Sequence, residues 1–192
     1  LMVRELKQLQ ALISVSVVNP VLTEQGWAFG GYPGADTDEL NGAQYMHELY
    51  SRADSQFTGR ATVPVLWDKK TEKIVNNESA EIIRILNTSF NDITGNHTDY
   101  YPDALQSEID EVNQGVYNDI NNGVYKAGFA TETRVYEEAV NALFAALDKV
   151  EARLEKQPFL VGATLTEADI RLFTTLVRFD AVYHGHFKCN RK

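Results

Sequence analysis

The chain has 192 residues, 44% of them hydrophobic and 23% charged, a balance that builds one or two compact cores and excludes disorder along the whole length. Eighteen basic against 27 acidic residues leave a formal net charge of −9, whose field repels phosphate backbones and anionic lipid surfaces, so neither nucleic acid nor a membrane is expected as a partner. No apolar run approaches the ~20 residues that cross a bilayer, the charged opening Leu1-Met2-Val3-Arg4-Glu5-Leu6-Lys7 reads as no secretion signal, and the single cysteine, Cys189, fits a reducing, cytoplasmic setting.

Taken in chain order, Leu1 to Gln10 is rich in helix formers, and Ile13-Ser14-Val15-Ser16-Val17 alternates with the period of two that predicts a strand. A loop carrying Gly26, Gly30, Gly31, Pro33 and Gly34 follows, then a helical stretch around Tyr45 to Tyr50. Val63-Pro64-Val65-Leu66-Trp67 and Lys73-Ile74-Val75 read as two strands of a hairpin turned by Asp68-Lys69-Lys70-Thr71. Glu78-Ser79-Ala80-Glu81-Ile82-Ile83-Arg84-Ile85-Leu86 then reads as a helix opened by an acidic residue, as the macrodipole favours. The predicted order is helix, strand, helix, strand, strand, helix.

Residues 103–180 keep a helical period instead. Leu105, Ile109, Val112, Val116 and Ile120 recur at spacings of three and four, as do Val135, Ala139, Ala142, Leu143, Ala146, Leu147, Val150 and Leu154, which predicts two long amphipathic helices. Leu165-Thr166-Glu167-Ala168-Asp169-Ile170 supplies an N-cap at Thr166, an acidic N3 at Asp169 and a hydrophobic staple between Leu165 and Ile170, so a further helix should run from about Glu167 toward Val177. Two domains are expected, over residues 1–90 and 103–192.

The first domain's order is that of a thioredoxin-like domain without its first strand, the start of its first helix and the turn between them. Residue 1 therefore reads as an interior position, since such a sheet would begin with an uncovered edge. Val63-Pro64 before a hairpin, Glu78-Ser79 opening a helix, and an all-helical part bearing Leu165-Thr166-Glu167-Ala168-Asp169 together resemble a glutathione transferase. Ser14-Val15-Ser16-Val17-Val18-Asn19-Pro20, Gly26-Trp27, Asn77 to Ile83, Asn121-Asn122-Gly123-Val124-Tyr125-Lys126-Ala127-Gly128-Phe129-Ala130 and Ala168-Asp169-Ile170-Arg171-Leu172 look more narrowly like the glutathionyl-hydroquinone reductases, the Xi class. The resemblance implies an α/β thioredoxin-like domain followed by an all-α domain, and an oxidoreductase acting with glutathione as co-substrate and no metal. In that family a cysteine thiolate attacks the glutathionyl thioether of a hydroquinone and a second glutathione releases the enzyme as glutathione disulfide. The family's Cys-Pro motif has no counterpart in residues 1–192, so the nucleophile is expected before residue 1, further helix after residue 192, and no catalysis from the 192 residues alone. A homodimer is implied as well.

Each site residue has a plain reading beside the one the resemblance implies. Alone, Val63-Pro64 is an edge-strand proline; by resemblance the bond is cis and Val63 presents its backbone N–H and C=O to glutathione. Glu78 and Ser79 alone are a helix cap; by resemblance Ser79 and the helix N–H groups bind the γ-glutamyl carboxylate, and Glu78 the ammonium. Trp27 is either an anchor for its loop or a flat wall for a ligand, the role the family implies. Arg60 is a solvated loop arginine or a further contact to glutathione. Tyr125 either packs or faces the quinol oxygen, where a phenol of ordinary pKa near 10 exchanges a proton with a hydroquinone hydroxyl almost evenly. Tyr183 matches a second family tyrosine associated with the thiolate.

His184-Gly185-His186 with Cys189 offers nitrogen and sulfur, but without the ligand number and geometry of a zinc site. Cys189 has no evident base beside it. Two other functions fit the same residues: an Omega-like glutathione-dependent thioltransferase or dehalogenase, and a non-catalytic binding module of the same fold.

Overall fold

The computed structural model describes residues 1–190. It divides into two compact units, Leu1–His97 and a second that begins at Thr98.

In the first unit α1 (Met2–Leu6) is a short helix, packed on α3 and followed by a turn in which Leu9 is fully buried. Arg4 Nε donates to the Ile13 carbonyl at 2.6 Å, which fixes where the chain leaves that turn. Residues 13–17 form no regular element and are not a strand of the described sheet, a correction to the reading from periodicity. An alternating pattern states which side chains share a face; a ladder also needs a neighbour for its N–H and C=O groups. Here Val17 finds a loop: its N–H donates to the Asp36 carboxylate and its carbonyl accepts the Asp36 N–H, each at 2.7 Å. Val15 and Val17 stay exposed.

The glycine-rich loop is stitched to α2 (Met46–Ala53) by Met46 N–H to Trp27 O (2.8 Å) and Phe29 N–H to Gln44 O (2.9 Å). Met46, Leu49, Tyr50 and Ala53, at helical spacing, form the buried face of α2. Trp27, Phe29, Val63, Val65, Trp67 and Ile74 pack against the cluster that Met46, Leu49 and Tyr50 form with Ala43. The hairpin forms as expected, with β1 (Leu66–Asp68) antiparallel to β2 (Lys73–Asn76). Asp68 turns it by accepting the N–H groups of Lys70 (2.8 Å) and Thr71 (3.3 Å), bonds that hold its carboxyl below the usual carboxylate range. The first strand opens at Leu66 rather than Val63, and residues 63–64 are a cis X-Pro step. α3 (Ser79–Thr88) and the short α4 (Asn91–Thr94), stopped by Gly95 in the left-handed region, complete the unit.

The second unit is helical. The helix predicted over 105–120 is divided: a 3₁₀ turn at Asp103–Leu105, then α5 (Gln106–Gly115), a π-helical turn at Val116–Asn121, and α6 (Gly123–Gly128). The buried row Ile109, Val116, Ile120, Val124 runs through all but the first, so the apolar spacing shows one continuous stripe and hides the change of winding. The second long helix is realised as α7 (Thr133–Leu154), which packs on α6. α8 (Glu167–Leu176) starts at the expected capping box. Asp169 Oδ2 accepts the N–H and hydroxyl of Thr166 at 2.9 and 3.0 Å, while its Oδ1 accepts the Leu160 N–H at 2.8 Å. After α8 a second π-helical turn, Phe179–His184, delivers Tyr183 into the core beside Ile109, Val124, Leu143 and Leu172. Among the described residues no helix is long and apolar enough to cross a membrane.

Candidate functional site

In the first unit three segments meet around Tyr50. Its hydroxyl donates to the Thr62 carbonyl at 3.0 Å and accepts from Asn77 Nδ2, also at 3.0 Å; Asn77 Nδ2 reaches Thr62 Oγ1 at 3.3 Å. Thr62 precedes Val63 and Asn77 precedes Glu78, so one buried tyrosine on α2 clamps the cis Val63-Pro64 step to the start of α3. Reading the sequence singled out both ends of this arrangement and missed the clamp. Asn77 lies in a segment the sequence marks and Tyr50 in a predicted helix, but nothing local pairs them, and only the fold makes them neighbours.

At the start of α3, Glu78 is the N-cap and no side chain caps the helix. Asn76 Oδ1 accepts the Glu78 N–H at 2.7 Å, and the side chains of Glu78 and Ser79 are exposed. The Glu81 and Ile82 N–H groups donate to the Glu78 carbonyl, which leaves those of Ser79 and Ala80 to an anion at this helix start. Val63 is half-buried, Pro64 exposed. Trp27 is half-buried with its ring against the α2 cluster and its carbonyl bonded to Met46, so it does anchor its loop. Arg60 is exposed. The structure thus joins Val63, Pro64, Glu78 and Ser79 through the clamp, brings Trp27 to the same α2 core, and leaves Arg60 on the surface.

In the second unit the two tyrosines come together. Tyr125 stands on α6, 41% exposed; Tyr183 is 2% exposed; their hydroxyl oxygens are 3.2 Å apart, and their rings meet edge to face with centroids 5.8 Å apart. Burial pushes the Tyr183 phenol up to about 12, and the bond to Tyr125 adds to the shift. Tyr183 therefore keeps its proton across the physiological range, and either hydroxyl of the pair can be the donor. Cys189 is fully buried, its thiol bonded to the carbonyls of Val124 and Phe187 at 3.7 Å and raised to about 11 by burial. A shielded, protonated thiol is a packing group and not a nucleophile. His184 and His186 are exposed, and among the described residues no three metal-ligating side chains cluster.

Comparison with known proteins meets this geometry at both units. The glutathione S-transferase N-terminal domain matches residues 1–89, and the glutathione S-transferase C-terminal domain residues 133–191. Glutathione transferase Xi 1 from Trametes versicolor has the same fold at a TM-score of 0.94 and 54% identity, over 100% of this chain and 68% of that one. The chain belongs to the glutathione transferase family, and within it to the Xi class. The glutathione-bound YqjG of Escherichia coli K-12 is 54% identical with a TM-score of 0.96, over 100% of this chain and 63% of that one. Among characterised relatives, the glutathionyl-hydroquinone reductase PcpF of Sphingobium chlorophenolicum is 55% identical over 192 residues, 99% of this chain and 61% of that protein. The chain thus spans about three fifths of the length of that relative.

Proposed function

We propose that the protein to which this chain belongs is a glutathione-dependent reductase of glutathionyl-hydroquinones. The observation that carries this is the Tyr125–Tyr183 hydroxyl pair, found in a chain 55% identical to a reductase of that name. Tyr183 has almost no exposed surface while Tyr125 is 41% exposed, so in this reading Tyr183 donates to Tyr125 and the Tyr125 proton serves a quinol oxygen. The reaction also needs a thiolate, and Cys189 is buried and protonated, so the nucleophile comes from outside these 192 residues. That thiolate attacks the glutathionyl sulfur and forms a mixed disulfide with it; the carbon–sulfur bond breaks with its electron pair left on the ring carbon, which takes a proton drawn from solvent while Tyr125 exchanges one with the quinol oxygen, and the hydroquinone leaves. A second glutathione thiolate then attacks the mixed disulfide, releasing the enzyme thiolate and glutathione disulfide.

Glutathione binds, in this reading, along the clamp in the first unit. Val63 offers backbone groups to the peptide, Ser79 and the α3 N–H groups take the γ-glutamyl carboxylate, Glu78 takes the ammonium, and Trp27 and Arg60 border the site. A cytoplasmic homodimer without a metal belongs to the same proposal. An Omega-like activity on other thiol conjugates is the second reading, favoured by a Schizosaccharomyces pombe relative named glutathione S-transferase omega-like 2, 48% identical over 99% of this chain and 63% of that protein.

The test uses the full-length protein and its Tyr125→Phe variant with a glutathionyl-hydroquinone. The parent should release hydroquinone and glutathione disulfide. Loss of a general acid–base hydroxyl is worth about 10²–10⁴ in rate, so Tyr125→Phe should lose turnover while keeping its affinity for glutathione. Equal turnover by the two proteins refutes the role of Tyr125; turnover of mixed disulfides but not of the quinol conjugate selects the Omega-like reading.

A further inference from the structure

The segment Asn121 to Ala130 contains Gly128, the last residue of α6, and its lack of a side chain has a steric cause. A Cβ there would stand 2.0 Å from Cδ1, 2.6 Å from Cγ and 2.9 Å from Cβ of Phe187. These atoms include the root of the side chain, so no rotation of the ring clears them; any residue but glycine displaces Phe187. From that seat Phe187 lies nearly perpendicular to both tyrosine rings, 5.4 Å from Tyr125 at 86° and 5.5 Å from Tyr183 at 79°, and meets Phe129 at 5.4 Å. The segment that carries it is pinned on both sides: Cys189 N–H donates to Tyr183 O at 2.9 Å, and the Tyr136 hydroxyl on α7 donates to Lys188 O at 2.7 Å. Tyr125 and Tyr183 belong to different elements, 58 residues apart, and Phe187 is a ring that touches both.

We propose that Phe187, seated on Gly128, is a positioning residue that holds the Tyr125 and Tyr183 hydroxyls in contact for proton transfer at the quinol. Edge-to-face contacts constrain ring orientation as well as distance, which a flexible aliphatic side chain of similar bulk does not. The catalytic consequence rests on the reductase reading given above; the geometric one does not.

The experiment compares the full-length protein with its Phe187→Leu, Gly128→Ala and Phe187→Tyr variants, by turnover of a glutathionyl-hydroquinone and by ring-carbon NMR of labelled tyrosine across pH. A misplaced reacting group costs rate far more than affinity. Phe187→Leu and Gly128→Ala should therefore lower kcat about 10-fold or more with the glutathione KM unchanged, whereas Phe187→Tyr, which keeps the ring, retains most of the rate. In the NMR titration the Tyr183 resonance should move to lower pH in the first two variants as water reaches the pair. The groups facing Tyr183 are the Tyr125 hydroxyl, the Arg178 guanidinium 5.9 Å from its ring, and the Cys189 thiol; all three remain in every variant. Parental kcat together with an unmoved Tyr183 titration in Phe187→Leu overturns the proposal, as does a loss in Phe187→Tyr as deep as in Phe187→Leu. Should the parent protein not turn over the quinol conjugate, the reductase reading fails and the titration alone decides whether Phe187 holds the pair.

Discussion

Ser79 opens α3 with an exposed hydroxyl beside N–H groups that no side chain caps. A carboxylate placed there meets a charge-assisted bond from the hydroxyl and the positive end of the helix dipole together. Ser79→Ala removes the first and leaves the second, because alanine is a good helix former and the start of α3 stays where the Asn76 bond to the Glu78 N–H and the Tyr50 clamp put it. Glutathione affinity of the full-length protein, measured by calorimetry, should fall by about 1.5–3 kcal/mol, the range for a hydrogen bond to a charged group, with little change in thermal stability. Unchanged affinity makes Ser79 a helix opener and nothing more. At this scale the sequence was legible where a residue type has its own chemistry, as with Ser79 at a helix start or a tyrosine in a marked segment. It was silent where a residue acts through a distant partner: Asn77 meets Thr62 across 15 residues, and Tyr50 lies 27 residues before Asn77.

Element boundaries follow the same division. The capping box at Thr166 was legible because all its parts lie within four residues, and the hairpin because Asp68 closes its own turn. The course of residues 13–17 was not, since their strand pattern says nothing of pairing; nor was the π-helical turn at Val116–Asn121, whose buried residues keep ordinary helical spacing. The α8 start also does more than cap. Asp169 ties three donors, two from Thr166 and one from the buried Leu160 N–H, so the loop and the helix are one cooperative piece. Asp169→Ala loses a cap, typically about 0.5–2 kcal/mol, and strands a buried N–H, a further ~1–3 kcal/mol. The urea midpoint of the protein should drop correspondingly, and Asp169→Asn, which keeps one acceptor oxygen, should lose less. An Asp169→Ala midpoint equal to the parent's would show that water replaces all three bonds.

For the whole molecule, the net charge of −9 sets solubility and repels anions, but the pH dependence of stability comes from groups that folding takes out of water. Two such groups sit together in the core of the second unit: Tyr183, raised from 10.0 to about 12, and Cys189, raised from 9.0 to about 11, both chiefly by burial. In each case the folded state favours the neutral form more than the unfolded chain does, so unfolding releases protons once the pH passes the ordinary value. The contribution is intact below about pH 9, falls as Cys189 ionises in the unfolded chain between about 9 and 11, and falls further through Tyr183 between about 10 and 12. Stability against urea should therefore be flat across neutral pH with respect to these groups and decline steeply above pH 9. Cys189→Ala removes the earlier part of that decline and also trims the Tyr183 shift, to which Cys189 adds, whereas Tyr183→Phe removes the later part. The Phe variant also strips Tyr125 of its partner, a loss confined to an exposed hydroxyl that water can satisfy, so its stability at neutral pH should stay near the parent's while its alkaline slope shrinks. A parent-like slope between pH 10 and 12 in Tyr183→Phe would mean that the Tyr183 hydroxyl is already hydrated in the folded protein, and the neutral-donor role assigned to it in proton transfer would fall with it.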